Sequence, residues 1–256
     1  MLKTKAKSFE ADISKFIIDN KFDADPEDYE NRIHIIWRDT LSRLLIHIRN
    51  YGNGGAFVIT SQTKGLKINY PVDYSRLSRS MVRLVKWTIA NDIVQEEIDE
   101  LAGKKVAPDL LDEYLVGTAK KKSTENELKG AIRFVASHSC VDGLIVFDDT
   151  LCEKGYGVVV EEINTPELIF QAVDNPGTES KLEPKSPKQF GTRHQSMISF
   201  CYANEGAIGF VISQDGDIRA FTRIGDKLVM WESIKTHKYI RAAAVRKLPA
   251  SKLKSL

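Results

Sequence analysis

The chain has 256 residues, 42% hydrophobic and 28% charged, a composition that indicates a folded protein and excludes disordered, collagen-like and coiled-coil classes. The net charge of +2 does not by itself indicate a nucleic-acid partner, and no apolar run approaches the ~18 residues of a membrane-spanning helix. Three cysteines without a CxxC pair argue against a disulfide framework and a structural zinc site. They predict a cytoplasmic location.

Basic residues concentrate at the C-terminal end of the chain. Residues 235–256 contain seven Lys or Arg and no acid, whereas residues 1–234 contain 30 basic and 35 acidic residues. Such a stretch could contact an anionic partner. The simpler interpretation is a solvated helix and tail, so nucleic acid is not an expected partner.

Helices are predicted at the start of the chain. Apolar residues at helical spacing predict a short helix over residues 9–17. Asp25-Pro26 is typical of the start of a second helix, which ends near Asn50. The glycine-rich residues 51–55 predict a turn, and 56–60 a buried strand.

The middle of the chain is predicted to be mainly helical. A second strand is expected at 66–70, and Asp73 is expected to cap a helix that continues to Leu101. The composition then changes, and residues 103–129 are interpreted as an exposed insertion with a short helix. A further helix is predicted over 127–137.

After Cys140 the pattern changes to strands. Residues 164–190 contain four prolines and many polar residues and predict a long loop, which in compact domains is often a lid or a binding loop. A helix is expected from Gly191 to Cys201, and 213–217 predict a hairpin turn. Short apolar runs predict strands at 144–147, 157–160, 207–212, 218–224 and 227–231.

These elements predict an α/β fold with a mixed central β-sheet surrounded by helices. The predicted organisation is an N-terminal helical extension (1–39), a main domain (40–234) interrupted by the 103–129 insertion, and a basic C-terminal segment (235–256).

Three short segments carry the most specific signal: Val141-Asp142-Gly143-Leu144, Gly191-Thr192-Arg193-His194-Gln195 and Ser213-Gln214-Asp215-Gly216. In order and spacing they resemble the motifs of the diadenylate cyclase (DAC) superfamily: Asp-Gly-Ala before a strand, Gly-Thr-Arg-His-Arg, and a later Ser-Glu-Glu turn. The strand at 55–59 also resembles the first strand of that family. The resemblance covers roughly residues 40–232.

The second segment can also be interpreted physically. Thr192 is expected to be the N-cap of a helix whose first backbone N–H groups lack partners. A phosphate placed there would meet these donors, the helix dipole and the Arg193 guanidinium. The alternative is structural: Arg193 pairs with a surface carboxylate and His194 is simply packed.

The resemblance implies a site for ATP or a cyclic dinucleotide, with Mg²⁺ or Mn²⁺ as a cofactor. It assigns catalytic roles to Asp142, beside the ribose 3′-hydroxyl, and to His194, and it assigns Asp215 to the metal. The nucleotide-binding residues that it implies are Asp142, Gly143, Leu144, Gly191, Thr192, Arg193, His194 and Ser213. The Asp-Gly and Ser-Gln-Asp-Gly sequences are also ordinary turn sequences.

Three departures from the family pattern concern the metal and the phosphates. Val141 stands where cyclases usually have a metal-binding His, Gln195 replaces the second arginine, and the Ser-Glu-Glu turn is altered at Gln214-Asp215. His138 lies nearby and could substitute, although a packed or exposed neutral His is the simpler interpretation. These forms resemble the divergent DACNV branch of predicted sensor domains.

The leading expectation is therefore a nucleotide-binding sensor of the DAC superfamily that acts on a separate effector protein. The alternative is an active diadenylate cyclase that condenses two ATP molecules to cyclic di-AMP in a face-to-face homodimer. A third reading is a scaffold that has kept the fold and lost the ligand.

Overall fold

The chain forms five helices and nine strands within the residues that the computed structural model describes, which are 9–20, 22, 26–101, 105–161, 164–174, 177 and 181–236. The helices are α1 (Glu10–Asn20), α2 (Pro26–Asn50), α3 (Arg76–Glu100), α4 (Pro108–Ser137) and α5 (Thr192–Ala203). The strands are β1 (Gly55–Ile59), β2 (Leu66–Tyr74), β3 (Leu144–Phe147), β4 (Glu153–Val160), β5 (Ile169–Ala172), β6 (Leu182–Lys185), β7 (Ile208–Ile212), β8 (Ile218–Ile224) and β9 (Lys227–Trp231).

All nine strands form one mixed sheet in the order β2-β4-β3-β1-β7-β8-β9-β5-β6. The β1–β3 and β5–β9 pairs are parallel and the other neighbouring pairs are antiparallel. The edge strands β2 and β6 each contain a proline, Pro71 and Pro184. The predicted α/β class, a mixed sheet flanked by helices, is confirmed.

The central strands are buried on both faces because helices cover both sides of the sheet. In β1 the side chains of Phe57 and Ile59 pack in a core that includes residues of α1–α4. The alternate residues, Ala56 and Val58, pack in a second core with residues of α5. This two-sided burial explains why β1 is an uninterrupted apolar run rather than an alternating pattern.

The N-terminal helices belong to the same core as the sheet. Phe9, Ile13 and Ile17 share a buried cluster with Phe57 of β1. Helix α2 passes through residues 39 and 40 without interruption, so the predicted start of the main domain is not a break in structure. Residues 237–256 of the predicted basic segment lie outside the described residues.

The prediction for residues 103–129 was wrong in its local structure. Helix α4 runs without a break from Pro108 to Ser137, so the expected short helix and the expected 127–137 helix are one element. Its first half lies against α3, where Thr118 Oγ1 donates a hydrogen bond to the buried Asn91 Oδ1 at 3.0 Å. Lys120 Nζ lies 4.5 Å from the ring centre of Trp87.

Two other local predictions were also wrong. Residues 164–190 contain the β5–β6 hairpin and a short 3₁₀ helix at Pro187–Gln189, where a loop was expected. Asp73 does not cap α3: it lies in β2 and bonds Lys154 Nζ at 2.7 Å, while Ser75 precedes the first helical turn. No helix in the described part of the chain is long and apolar enough to cross a membrane.

Candidate functional site

The glycine-rich turn before β1 lies directly against Arg193 and the end of β7. Gly54 has φ +66, and a Cβ atom built on it would lie 2.8 Å from Arg193 Nη1 and 2.9 Å from the Ile212 carbonyl oxygen. Both distances are shorter than real Cβ contacts allow. Gly54 therefore lets the backbone of this turn approach the Arg193 guanidinium closely.

Arg193 also faces the turn before β3. Its Nη2 lies 4.0 Å from Asp142 Oδ1, and the Asp142 side chain is fully exposed. That same oxygen accepts the backbone N–H of Gly143 at 3.0 Å. At this distance and exposure the pair adds little to stability, so Arg193 is available to a stronger anionic partner.

Arg219, on β8, links two of the predicted site residues and was missed by the sequence analysis. Its Nη1 lies 3.3 Å from both His194 Nε2 and Ser213 Oγ. Its other nitrogens bind Asp217 at 2.8 Å and Glu232 at 3.2 Å. Alternation of polar and apolar residues in β8 was typical of a solvated strand face, so no sequence signal separated Arg219 from an ordinary surface residue.

His194 is held as a neutral imidazole. Burial, together with the charges of Arg219 and Arg193, lowers the pKa of His194 to about 4. Because a guanidinium only donates hydrogen bonds, the contact with Arg219 requires Nε2 to accept, which leaves the proton on Nδ1. The ring stacks on Phe190, with ring centres 5.6 Å apart.

The β7–β8 turn positions Ser213 and Asp215. The Ser213 N–H donates to the Asp217 carbonyl oxygen at 2.9 Å, and its carbonyl accepts the Gly216 N–H at 3.0 Å. Asp215 is exposed and its Oδ1 accepts the Asp217 N–H at 3.2 Å. The predicted hairpin turn is confirmed, and it places Ser213 beside Arg219.

The start of α5 differs from the prediction. Gly191 is the N-cap, with φ −70 and ψ 170, so Thr192 is the first helical residue and does not cap the helix. Gly191 and Thr192 are both exposed. Among the described residues no side chain caps this helix, so its first backbone N–H groups have no side-chain acceptor. The Thr192 hydroxyl lies in this uncapped first turn.

Gln195, which replaces the second arginine of the family motif, has a structural role. Its side-chain Nε2 donates to the carbonyl oxygens of Pro187 and, at 3.2 Å, Phe190. These bonds tie the 3₁₀ turn to α5. Phe190, positioned in this way, is the ring on which His194 stacks.

Two of the predicted binding residues, Leu144 and Gly143, have roles in packing. Leu144 is 4% exposed and belongs to the core beneath α5. Gly143 has φ +113, and a Cβ there would lie 2.6 Å from the backbone carbon of Gly157 in β4.

His138 is packed rather than turned toward Asp142. Its Nδ1 lies 2.6 Å from Oε1 of the fully buried Glu153, and its ring stacks on Tyr156 with centres 4.2 Å apart. No group of three or more His, Cys, Asp or Glu side chains suited to a metal ion occurs in the ranges that the structure describes.

Comparison of the chain with protein-family models and with curated proteins finds no match. The interpretation of the site therefore depends on its own geometry. Four separate segments meet around Arg193 and Arg219: the Gly54 turn, the Asp142 turn, the start of α5 and the β7–β8 turn. Together they offer the Arg193 guanidinium, a neutral imidazole and a hydroxyl, with Arg219 holding the last two in place. This set is suited to an anion with several oxygens.

Proposed function

We propose that the chain is a nucleotide-binding module of the DAC type, with ATP or a cyclic nucleotide second messenger as its ligand. The observation that carries the proposal is the convergence of four sequence segments around Arg193 and Arg219. The ion-pair partner of Arg193, at 4.0 Å, is a fully exposed carboxylate. A phosphate offers two or three oxygens to this guanidinium and is a better partner than Asp142.

The roles of the remaining residues follow from their partners. Arg193 and the Thr192 hydroxyl bind the phosphate at the first turn of α5, whose dipole also favours an anion. Arg219 is a positioning residue because it holds His194 and Ser213 at 3.3 Å each. His194, neutral and protonated on Nδ1, contributes a hydrogen-bond donor rather than a charge.

A divalent metal is compatible with part of this site. Mg²⁺ is commonly bound by one or two carboxylates together with water and substrate phosphates. Asp215 is exposed and could supply one such ligand, whereas the Asp217 carboxylate already binds Arg219. When bound, the metal would neutralise phosphate charge.

Calorimetric titration with ATP and with cyclic di-AMP, each with and without Mn²⁺, tests the proposal. We expect binding to weaken about 10- to 150-fold in Arg193→Ala, the range of a charge-assisted hydrogen bond, with an unchanged melting temperature. Arg32→Ala is the matched control: Arg32 lies on α2 and pairs with Asp92 on α3, about 27 Å along α2 from Asn50, the last helical residue before the Gly54 turn. Absence of heat with every nucleotide refutes the proposal.

The cyclase alternative is tested by incubating the protein with ATP and Mn²⁺ and separating the products by chromatography. A sensor leaves ATP unchanged, whereas a cyclase forms cyclic di-AMP. If the wild-type protein forms cyclic di-AMP and Arg193→Ala does not, the chain is a cyclase and the sensor proposal is wrong. A sensor requires a separate effector protein as its partner, whereas a cyclase requires a homodimer.

A further inference from the structure

A cavity lies at the end of the central parallel strands away from the Arg193 site. It has a volume of about 550 Å³ and lies between α1, the first turns of α3, Glu127 of α4 and Thr150 in the β3–β4 turn. Asp142 precedes β3, whereas Thr150 follows it, so this cavity and the site around Arg193 lie at opposite ends of that strand.

Three arginines of α3 line the cavity. Arg76, Arg79 and Arg83 are spaced by three and four residues and therefore lie on one face of the helix. Arg76 Nε binds Glu127 Oε1 at 3.0 Å, and Arg83 Nη2 binds Glu127 Oε2. Arg79 is exposed between them and makes no ion pair within the described part of the chain.

The charge of the cavity is not balanced by its own residues. Its lining contains these three arginines but only two acids, Glu127 and Asp12, a net charge of +1. In the Glu127 contacts Arg76 and Arg83 each use one nitrogen, and a guanidinium has five N–H donors. Donors therefore remain for a further acceptor.

The rest of the lining is suited to a ligand with a polar and an apolar part. Ser78 and Thr150 add hydroxyl groups, and Phe9 and Val82 add apolar surface. A volume of this size lies within the range of small-molecule sites, about 300–1,000 Å³. The eight residues that precede Phe9 contain three lysines and no acid, so they add no negative charge.

We propose that this cavity binds a small organic phosphate, with the phosphate group at Arg79 and the apolar part against Phe9 and Val82. A phosphate is favoured over a carboxylate because its three terminal oxygens can accept from all three arginines, while a carboxylate has two oxygens. Glu127 holds Arg76 and Arg83 on either side of Arg79 and is a positioning residue.

Phenyl phosphate, which combines one phosphate with one apolar ring, is a suitable probe for calorimetric titration of the full chain. We expect Arg79→Ala to weaken its binding at least about 10-fold and Arg79→Glu to abolish it. Arg32→Ala, which removes an arginine elsewhere on the helical surface, should leave the affinity within about twofold. Benzoate should bind more weakly than phenyl phosphate.

Melting curves show whether each variant is folded. Because Arg79 is exposed and outside the core, we expect its substitutions to leave the fold intact. Equal affinity in wild type and Arg79→Ala, or no heat with millimolar phenyl phosphate, would overturn the proposal. Titration of Arg79→Ala with ATP separates the two sites: loss of phenyl phosphate binding with retained ATP binding assigns the effect to this cavity alone.

Discussion

Arg219 shows how one side chain can organise a site without being its main ligand contact. It is bound by two carboxylates, Asp217 and Glu232, and it holds His194 and Ser213 through a third nitrogen. Its charge is already balanced, so it serves mainly to fix its neighbours. Within the described ranges, the one ion pair of Arg193 is with the exposed Asp142 at 4.0 Å, and an incoming anion can replace that contact.

The neutral state of His194 predicts a pH dependence of stability. Its pKa is about 4 in the folded protein, against an ordinary value of about 6.5, so the unfolded chain binds the proton more readily between these pH values. The free energy of unfolding should therefore fall as pH decreases from about 6.5 to about 4. Urea denaturation across this range measures the effect.

His194→Asn is the control for this prediction, because asparagine can still accept a hydrogen bond from Arg219 but does not titrate. The difference in the free energy of unfolding between wild type and the variant should be constant above about pH 6.5 and should shift in favour of the variant as pH falls to about 4. Two parallel curves would show that other groups cause the pH dependence.

At the scale of elements, the glycine-rich turn before β1 predicts a contrast between two glycines. Gly52 and Gly54 both have positive φ, +74 and +66, so alanine at either costs about 1–2 kcal/mol of backbone strain. A Cβ at Gly52 meets no atom within 4 Å, whereas one at Gly54 meets Arg193 and the backbone of Ile212.

Gly54→Ala should therefore be less stable than Gly52→Ala by about 1–3 kcal/mol, the usual cost of overpacking. It should also displace Arg193 and weaken nucleotide binding. Denaturant unfolding and ATP titration of the two variants measure both effects. Equal stability would mean that the turn does not approach Ile212 as described.

The two glycines of α4 offer a second matched pair. Gly130 is exposed and a Cβ there meets nothing within 4 Å, so Gly130→Ala should stabilise the protein by about 0.5–1 kcal/mol. A Cβ at Gly117 would lie 2.9 Å from Asn91 Oδ1, the acceptor for Thr118. Gly117→Ala should lose this gain, and thermal melting of both variants checks the contact between α3 and α4.

These elements also show what the sequence can and cannot predict. Apolar runs identified β1, β3 and β7 to β9, since a strand buried on both faces needs continuous apolar residues. The less buried β2 and β4 were predicted over only part of their lengths, 66–70 and 157–160. The prediction for residues 103–129 was wrong because their glycines, proline, lysine clusters and few large apolar residues are typical of an exposed insertion. In the fold this segment is helical and contacts Asn91 and Trp87 of α3, and no local pattern reveals such tertiary contacts.

The site shows the same division. The sequence singles out Arg193, Ser213 and Asp142 because they stand in short motifs with a fixed order, and their role in binding stays a prediction. Arg219 was not found, because it acts through contacts between β8, α5 and the β7–β8 turn. From the family pattern, Gln195 means the loss of a phosphate-binding charge. In the structure its side chain instead donates a hydrogen bond to the carbonyl oxygen of Pro187.

At the scale of the whole molecule, the sheet separates the two candidate sites. The site around Arg193 lies at the amino end of β1 and β3, and the arginine-lined cavity lies beyond the carboxyl end of β3. We therefore expect the ligands to bind independently. Saturating phenyl phosphate should change the ATP dissociation constant by less than about fivefold, the lower end of typical coupling between sites. A larger change would show competition or coupling between the sites.

Pro71 and Pro184 have a further consequence for how the protein behaves at high concentration. An open sheet edge presents unpaired N–H and C=O groups that can pair with a strand of another molecule and start aggregation. The nine-stranded sheet has two such edges, and each contains a proline, which has no N–H to donate. Both prolines are exposed. Each therefore interrupts the ladder that a second chain would need in order to extend the sheet into a fibril.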